Sequence, residues 1–544
     1  MGEAMPDEYR RNGWWRDQTF LDDLRRSART HPHKTAVLVR RAAPGGGGET
    51  RALDYAELAH LTERCAAALA QLGVRNGDTV AVQLTDRWEL PVLAMACLRA
   101  GARLCPLLPV YRRRELQVML GLTEPRVLIT MAEHDGDRLG ELATELTAAT
   151  PAIAHVAIAD QAPEGALSFE EHFFATPWEE RHAAGPAGPE LGADDPYLVL
   201  FTSGTTGEPK GVLHSPNTLY AAIRGEADVF GLDDSLVMTT TSAYTHYTGY
   251  VQGMLMPLML GGTMVFSDTH DGPGVLDLLA AHDVTFLYAA PHFVAGMLQA
   301  QRERPRDLPA LRRLVSGSAP IPPGFVQDVA DVFDLRLYSL WGMSENGPVT
   351  ITRPADPPDW AAHSDGSPIP GMRVRIDPIP DQSQDHDQAR GVGRLWVRGP
   401  AQCLGYHRRE HLYAAQLHDG WFDTGDLARD DGRGGIRITG RAKDSILRKG
   451  WIVPVTELEA LIDRHPKVRE ATVIGVPEGQ GEDETICAVV APAHSPLTLE
   501  ELRGHLRAAG MTTTYWPERL ELVDALPRTV TGKVRKVELK ERLT

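Results

Sequence analysis

The strongest chemical potential in this chain lies between positions 197 and 214. Tyr197–Phe201 is an apolar run that reads as a buried strand of a parallel sheet. It passes into six small residues, Thr202, Ser203, Gly204, Thr205, Thr206 and Gly207, and Lys210 follows. Such glycines let several backbone amides face one way, so the composition suits an anionic group such as a triphosphate. A Walker P-loop needs Gly directly before the lysine and Ser or Thr after it. Here Pro209 and Gly211 flank Lys210, so the loop is of another kind. A Gly/Thr-rich surface turn is the plainer alternative.

Further positions carry groups that a phosphate loop could use. Glu345, in Gly342-Met343-Ser344-Glu345, follows the apolar segment 335–341. A carboxylate at a strand end can hold Mg2+ against phosphates. A Ser344–Glu345 cap opening a helix is the structural alternative, which Asn346-Gly347-Pro348 disfavours. Asp426 closes Asp423-Thr-Gly-Asp426, where a turn acid is equally ordinary. Lys533 stands in a basic tail with Arg535 and Lys536, a setting in which an isolated lysine is usually a solvated charge. His246 lies among Tyr244, Tyr247 and Tyr250, as a packed core residue or a site residue.

The elements that would position these groups alternate along the chain. Leu21, Leu24 and Ala28 fall at helical spacing over 18–31, with Thr19 as a cap. A strand over 35–39, the glycine run 44–48 as a hairpin tip or loop, a helix over 54–73 and a strand over 79–83 follow. Strands at 127–130, 155–158, 264–266, 285–289 and 311–316 alternate with helices such as 272–282 and 293–303. That alternation predicts α/β sheets with ligands at the C-terminal ends of the strands. Residues 160–195, rich in Ala, Pro, Gly and Glu, read as a surface connection. Beyond Trp396 come short strands and turns. A C-terminal unit then follows, with helices over 455–464 and 499–508 and strands over 469–476 and 484–492.

A chain of 544 residues exceeds one hydrophobic core, so two or more domains are expected. A net charge of −17 argues against a nucleic-acid surface and against a polybasic membrane patch. The absence of an 18-residue apolar run and the polar N-terminus argue against membrane insertion and secretion. The five cysteines, at 65, 97, 105, 403 and 487, are scattered without metal spacing and read as reduced core residues of a cytoplasmic protein.

Six segments in fixed order resemble the motifs of the adenylate-forming superfamily of acyl-CoA synthetases, aryl-CoA ligases, luciferases and peptide-synthetase adenylation domains. They are the Thr202–Lys210 loop, Ser316-Gly317-Ser318-Ala319-Pro320, Trp341–Glu345, Trp421–Asp426, Gly440-Arg441-Ala442-Lys443-Asp444 and Arg528–Lys533. The resemblance covers the chain from about residue 30 to its end. It implies a large N-terminal α/β domain with a small barrel-like subdomain over 1–442. A small, mobile α+β lid would span 443–544, hinged at Lys443.

The resemblance further implies ATP and Mg2+ as cofactors, with AMP and pyrophosphate as products. Residues 202–207 would take the β and γ phosphates, with Lys210 beside them, and Thr202 and Glu345 would hold the metal. Ser344 would donate to the α-phosphate, and Lys533 would reach that phosphate and the substrate carboxylate. Gly317, Ser318, Ala319, Trp341, Gly342 and Met343 would enclose adenine. Asp426 would accept the ribose hydroxyls and Arg441 would add a donor, while His246 would orient the carboxylate and later open the thiol route.

The implied substrate is a small aryl, alicyclic or medium-chain carboxylic acid. Thr245-His246-Tyr247-Thr248-Gly249-Tyr250 resembles the alicyclic and medium-chain acyl-CoA ligase branch. One stretch departs from the family, Lys449-Gly-Trp-Ile-Val-Pro-Val-Thr-Glu457. Ile452 stands where the family has a polar amide, and Pro454 comes one residue early, which would reshape the approach of the CoA thiol. CoA is therefore one acceptor. A nitrogen nucleophile is the other reading, as is nitrite activated to diazotise an aromatic amine, as in the ligase-like diazotases. A non-catalytic binding protein on this scaffold is opposed by the intact Lys533, Glu345, Asp426 and Lys210.

Overall fold

The computed structural model describes residues 4–543 except 43–47, 164–165, 182–187, 203–208, 320, 322, 379–390, 443–445, 449–450, 454, 478–483, 512 and 530–532. Two large sheets carry most of the chain. In the first, Arg103–Pro106 lies between Thr79–Gln83 and Leu198–Thr202, parallel to both, and the sheet continues through Val127–Met131 and His155–Ala159. Leu198–Thr202, read from its sequence as a strand of a parallel sheet, is parallel to Arg103–Pro106. Its other neighbour, Lys210–His214, is antiparallel, with Thr202 opposite Lys210. A connection of seven residues is too short for a crossover, so the chain returns beside itself.

The second sheet has six parallel strands at its centre: Thr35–Ala42, Thr263–Ser267, Val237–Thr240, Phe286–Tyr288, Arg313–Gly317 and Leu337–Met343. After Leu337–Met343 the chain reverses at Ser344–Asn346 into the antiparallel strand Gly347–Ile351, so no helix follows Glu345. The glycine run 44–47 lies outside the described residues, between strands that pair as a hairpin.

Helices pack both sheets into a shared core. Glu89–Arg99 is buried on nearly every side, as a helix apolar around its whole circumference must be. Thr19 caps Phe20–Thr30, with its backbone N–H donated to Asp22 at 2.8 Å. The segment 160–195 is more than a surface connection. Phe169 and Phe173 are fully buried, and the short π-helix Glu171–Ala175 packs on the Tyr55–Gln71 helix. The apolar area of these aromatic side chains outweighs the segment's polar composition.

An antiparallel sheet follows, built from Arg373–Pro378, Gly393–Arg398, Trp421–Asp430, Ile436–Arg441 and Leu417–His418. Residues beyond 446 assemble around Val468–Pro477, Glu484–Pro492 and Arg519–Leu522, with the helices Val455–Asp463 and Leu499–Ala508 over a core of their own. All five cysteines are buried and free. Among the described residues, no helix is long and apolar enough to cross a membrane.

Candidate active site

Glu345 sits at the reversal between the strands Leu337–Met343 and Gly347–Ile351, where it is 8% exposed. The Tyr406 hydroxyl donates to its Oε1 at 2.8 Å and also lies 2.8 Å from Gln416 Oε1. Tyr406 belongs to the short strand Gly405–Tyr406, which pairs with Lys210–His214. The Lys210 ammonium stands 5.1 Å over the Tyr406 ring, a cation–π contact that holds a nearly buried charge. Thr202, Lys210, Tyr406 and Glu345 are thus linked through one sheet edge and one reversal. Tyr406 was missed from sequence, because an aromatic in a two-residue strand gives no periodic signal.

His214 was missed as well. Its Nε2–H donates to the Ser344 carbonyl at 2.7 Å, and its Nδ1 lies 2.9 Å from Thr218 Oγ1. Burial lowers its pKa to about 4, so it is a neutral pin between the Ser344 corner and the strand after the glycine-rich loop.

Asp426 and Arg441 are register partners on neighbouring strands, with Arg441 Nε 2.6 Å from Asp426 Oδ1. The Trp341 indole N–H donates to Asp426 Oδ2 at 3.1 Å, joining the large sheet to the antiparallel one. Burial raises the Asp426 pKa, and Arg441, the indole and Lys533 oppose that shift. Gly317 ends its strand against the neighbouring backbone, and a Cβ there would come within 2.5 Å of the Leu340 carbonyl oxygen. Ser318 follows at φ +70, a left-handed conformation costly for a residue with a side chain. Ala319 comes next, while Gly342 and Met343 close the opposite strand.

His246 stands before a π-helix, Thr248–Leu255, of the kind often found at functional sites. Its Nδ1 lies 3.3 Å from Ser242 Oγ. Loss of water, and then the Lys533 charge, lower its pKa to about 4, so it is neutral near pH 7. Lys533 comes from the C-terminal unit and is itself exposed. Its charge reaches both His246 and Asp426, which belong to different parts of the preceding structure.

Ser203, Gly204, Thr205, Thr206 and Gly207 lie outside the described residues, as do Lys443 and Pro454. Ile452 lies in the strand Trp451–Ile452, opposite Leu447. Among the described residues, the Tyr247, Thr245 and Ser316 hydroxyls and the Asn346 amide are buried without a hydrogen-bond partner. Glu226, also unforeseen, is fully buried on the helix Pro216–Phe230, accepting from the Tyr288 hydroxyl and from Gln252 Nε2 at 3.0 Å. Burial pushes its carboxyl up to about 7.

No cluster of three or more His, Cys, Asp or Glu side chains suited to a metal occurs among the described residues. Glu345 and Thr202 nevertheless offer hard oxygen donors of the kind Mg2+ takes, beside the loop expected to bind phosphate.

Known proteins share this layout. Residues 24–407 match the AMP-binding enzyme model, and residues 457–533 match the AMP-binding enzyme C-terminal domain. The chain is 29% identical to the medium-chain fatty-acid–CoA ligase of Escherichia coli (strain K12), over 98% of this chain and 92% of that protein. It is 31% identical to the salicyl-AMP ligase / salicyl-S-ArCP synthetase of Mycobacterium tuberculosis, over 97% and 91%. The anthranilate CoA ligase AuaEII, solved with anthranoyl-AMP, shares the fold at a TM-score of 0.83 and 22% identity, covering 97% of each chain. The chain belongs to the AMP-binding enzyme family and is an AMP-forming ligase of the adenylate-forming superfamily.

Proposed function

We propose that this protein activates a small aromatic carboxylic acid with ATP, releasing pyrophosphate, and transfers the acyl group from AMP to CoA. The observation that carries this reading is the linkage of Thr202, Lys210, Tyr406 and Glu345 through one sheet edge and one reversal, with Asp426 and Arg441 paired across neighbouring strands. Adenylation is mainly electrostatic: the triphosphate is held, charge developing at the α-phosphorus is neutralised, and the nucleophile is aligned. Residues 202–207 and Lys210 hold the terminal phosphates. Lys533 bridges the α-phosphate and the attacking carboxylate, a task suited to a compact ammonium. Ser344 donates to the α-phosphate. Gly317, Ser318, Ala319, Gly342 and Met343 bound the adenine site with Trp341, while Asp426 accepts the ribose hydroxyls with Arg441 steadying it. Neutral His246 orients the carboxylate. Glu345 and Thr202 hold Mg2+, which supplies further neutralisation of phosphate charge.

We assign residues 1–442 to the adenylating domain and 443–544 to a lid hinged at Lys443, working in the cytoplasm. The aromatic preference is supported by likeness to the salicyl-AMP ligase, whose name specifies an aryl acid. A second reading keeps adenylation and changes the acceptor to an amine, or takes nitrite with an aromatic amine. Ile452 and Pro454 favour it, because they alter the segment expected to guide the thiol.

The test is pyrophosphate release over a panel of aryl, alicyclic and medium-chain acids and aromatic amines, with and without CoA and with and without nitrite. Products are identified by mass. An aryl-CoA thioester at ordinary turnover supports the first reading. An amide or diazo product supports the second, and stoichiometric ADP refutes both.

A further inference from the structure

Lys533 has to place one ammonium between two anions from the end of a flexible four-carbon stem, so the backbone that carries it needs a firm seat. The chain on its two sides is tied to itself. Arg528 and Val534 form an antiparallel bridge, and the Arg535 N–H donates to the Pro527 carbonyl at 2.8 Å. The Thr529 N–H donates to the Lys533 carbonyl at 2.7 Å, and the Lys533 N–H donates to Thr529 Oγ1 at 3.1 Å. These bonds set the local shape of the segment. They do not set where that shape stands against the rest of the C-terminal unit.

Two glutamates do so, one on each side of Lys533. Glu470, on the strand Val468–Pro477, accepts from the Leu526 N–H at 3.1 Å through Oε1 and from the Arg528 guanidinium through Oε2. Burial alone would raise the Glu470 carboxyl, but the Arg528 guanidinium and the Leu526 N–H outweigh it and hold the group below its ordinary value. On the other side, the Lys536 ammonium opens the helix Lys536–Leu543 and donates to Glu459 Oε1 at 2.7 Å and to the Val473 carbonyl at 3.1 Å. Glu459 lies on the helix Val455–Asp463, and the same oxygen accepts from the Thr472 hydroxyl and the Val473 N–H, each at 2.8 Å. Both anchors are therefore referred to one strand, Val468–Pro477. A single anchor would let the segment pivot, whereas one before and one after Lys533 set its position and its angle. The Glu470 and Glu459 side chains are only 23% and 20% exposed, so water screens these pairs less than it screens open surface pairs.

We propose that Glu470 and Glu459 are positioning residues for Lys533, seating its segment on the strand Val468–Pro477 so that the ammonium meets the reacting phosphate. The proposal rests on the role given to Lys533 above and extends it to two side chains that act only through that lysine. Replacing Glu470 by Gln keeps an acceptor for the Leu526 N–H and removes the charge that holds Arg528. A displacement of about 1 Å at a reacting group is enough to cost up to about 10²-fold in rate.

The experiment measures kcat and the KM for ATP in pyrophosphate release by the full-length protein, with the acid from the panel above, salicylic acid among them, that gives the fastest release. The variants are Glu470→Gln, Arg528→Gln, Glu459→Gln, Lys533→Ala and the double variant Lys533→Ala/Glu470→Gln, and thermal unfolding verifies that each is folded. The expected result is a fall in kcat of about tenfold or more in the Glu470, Arg528 and Glu459 variants, with the KM for ATP changed by less than about twofold. In the double variant the loss should match that of Lys533→Ala within about twofold, because a seat has no effect once the seated group is gone. A merely structural role would lower both backgrounds by the same factor. Arg528→Gln, at an exposed side chain, decides the matter if a glutamate variant fails to fold. Wild-type kcat in the folded Glu470 and Arg528 variants, or losses that multiply in the double variant, overturns the seat and leaves the role of Lys533 standing. Wild-type release by Lys533→Ala overturns both.

Discussion

Replacing Glu226 by Gln tests the electrostatics of a fully buried carboxyl without reference to any substrate. The amide keeps the shape and can bond both Tyr288 and Gln252, but it cannot ionise. In the folded protein the Glu226 carboxyl is pushed up to about 7 from the ordinary 4.5, chiefly by burial, with the Tyr288 and Gln252 bonds opposing. The folded state therefore holds a proton that the unfolded chain releases. The stability linked to that proton is complete below the unfolded value and is lost as pH rises through about 7. A gap of this size is worth roughly 3 kcal/mol. His214 and His246 act in the opposite direction. Both are lowered to about 4, so they destabilise the fold as pH falls below their ordinary 6.5. The variant retains both histidines, so their contribution cancels in the comparison with wild type. Thermal midpoints of the two proteins at about pH 5 and about pH 8 should diverge, Glu226→Gln gaining by an amount equivalent to roughly 3 kcal/mol at the higher pH. A difference that does not change with pH would show that Glu226 is ionised throughout, and the argument from burial would fail.

Three further outcomes are expected. Lys533→Ala should lower pyrophosphate release by about 10²-fold or more with an unchanged thermal midpoint, because a transition-state charge is removed from an exposed side chain. Unchanged release would refute its assignment. Asp426→Ala should raise the KM for ATP and destabilise the fold by about 1–3 kcal/mol, since Arg441 and the Trp341 indole lose their acceptor. Nucleotide titration and thermal unfolding check both effects. Gly347→Ala adds a Cβ at φ +62 and 2.5 Å from the Tyr247 hydroxyl, and should cost about 1–3 kcal/mol and weaken use of the acid substrate. Unfolding and steady-state kinetics would reveal a neutral substitution if that space were slack.

The sequence alone determined the alternation of strands and helices, the order of the six motifs and the family they belong to. Those features are local: an apolar run such as 127–130 or a helix such as 499–508 is specified by residues close together in the chain. Glu345 was singled out by its place at the end of an apolar strand, whereas Asp426, an ordinary turn acid when taken alone, was singled out only by the family resemblance. Tertiary structure decided what stands beside them. Tyr406 reaches Glu345 from 61 residues away because its strand pairs with Lys210–His214, and no period in the chain encodes that pairing. His214 braces Ser344 for the same reason, from 130 residues away. Phe169 and Phe173 show that buried aromatic area can overrule a polar composition. Nothing in the sequence around Glu226 marks it as buried. Only the packing of its helix against Tyr288 and Gln252 buries it, because long-range contacts fix which face of a helix meets water.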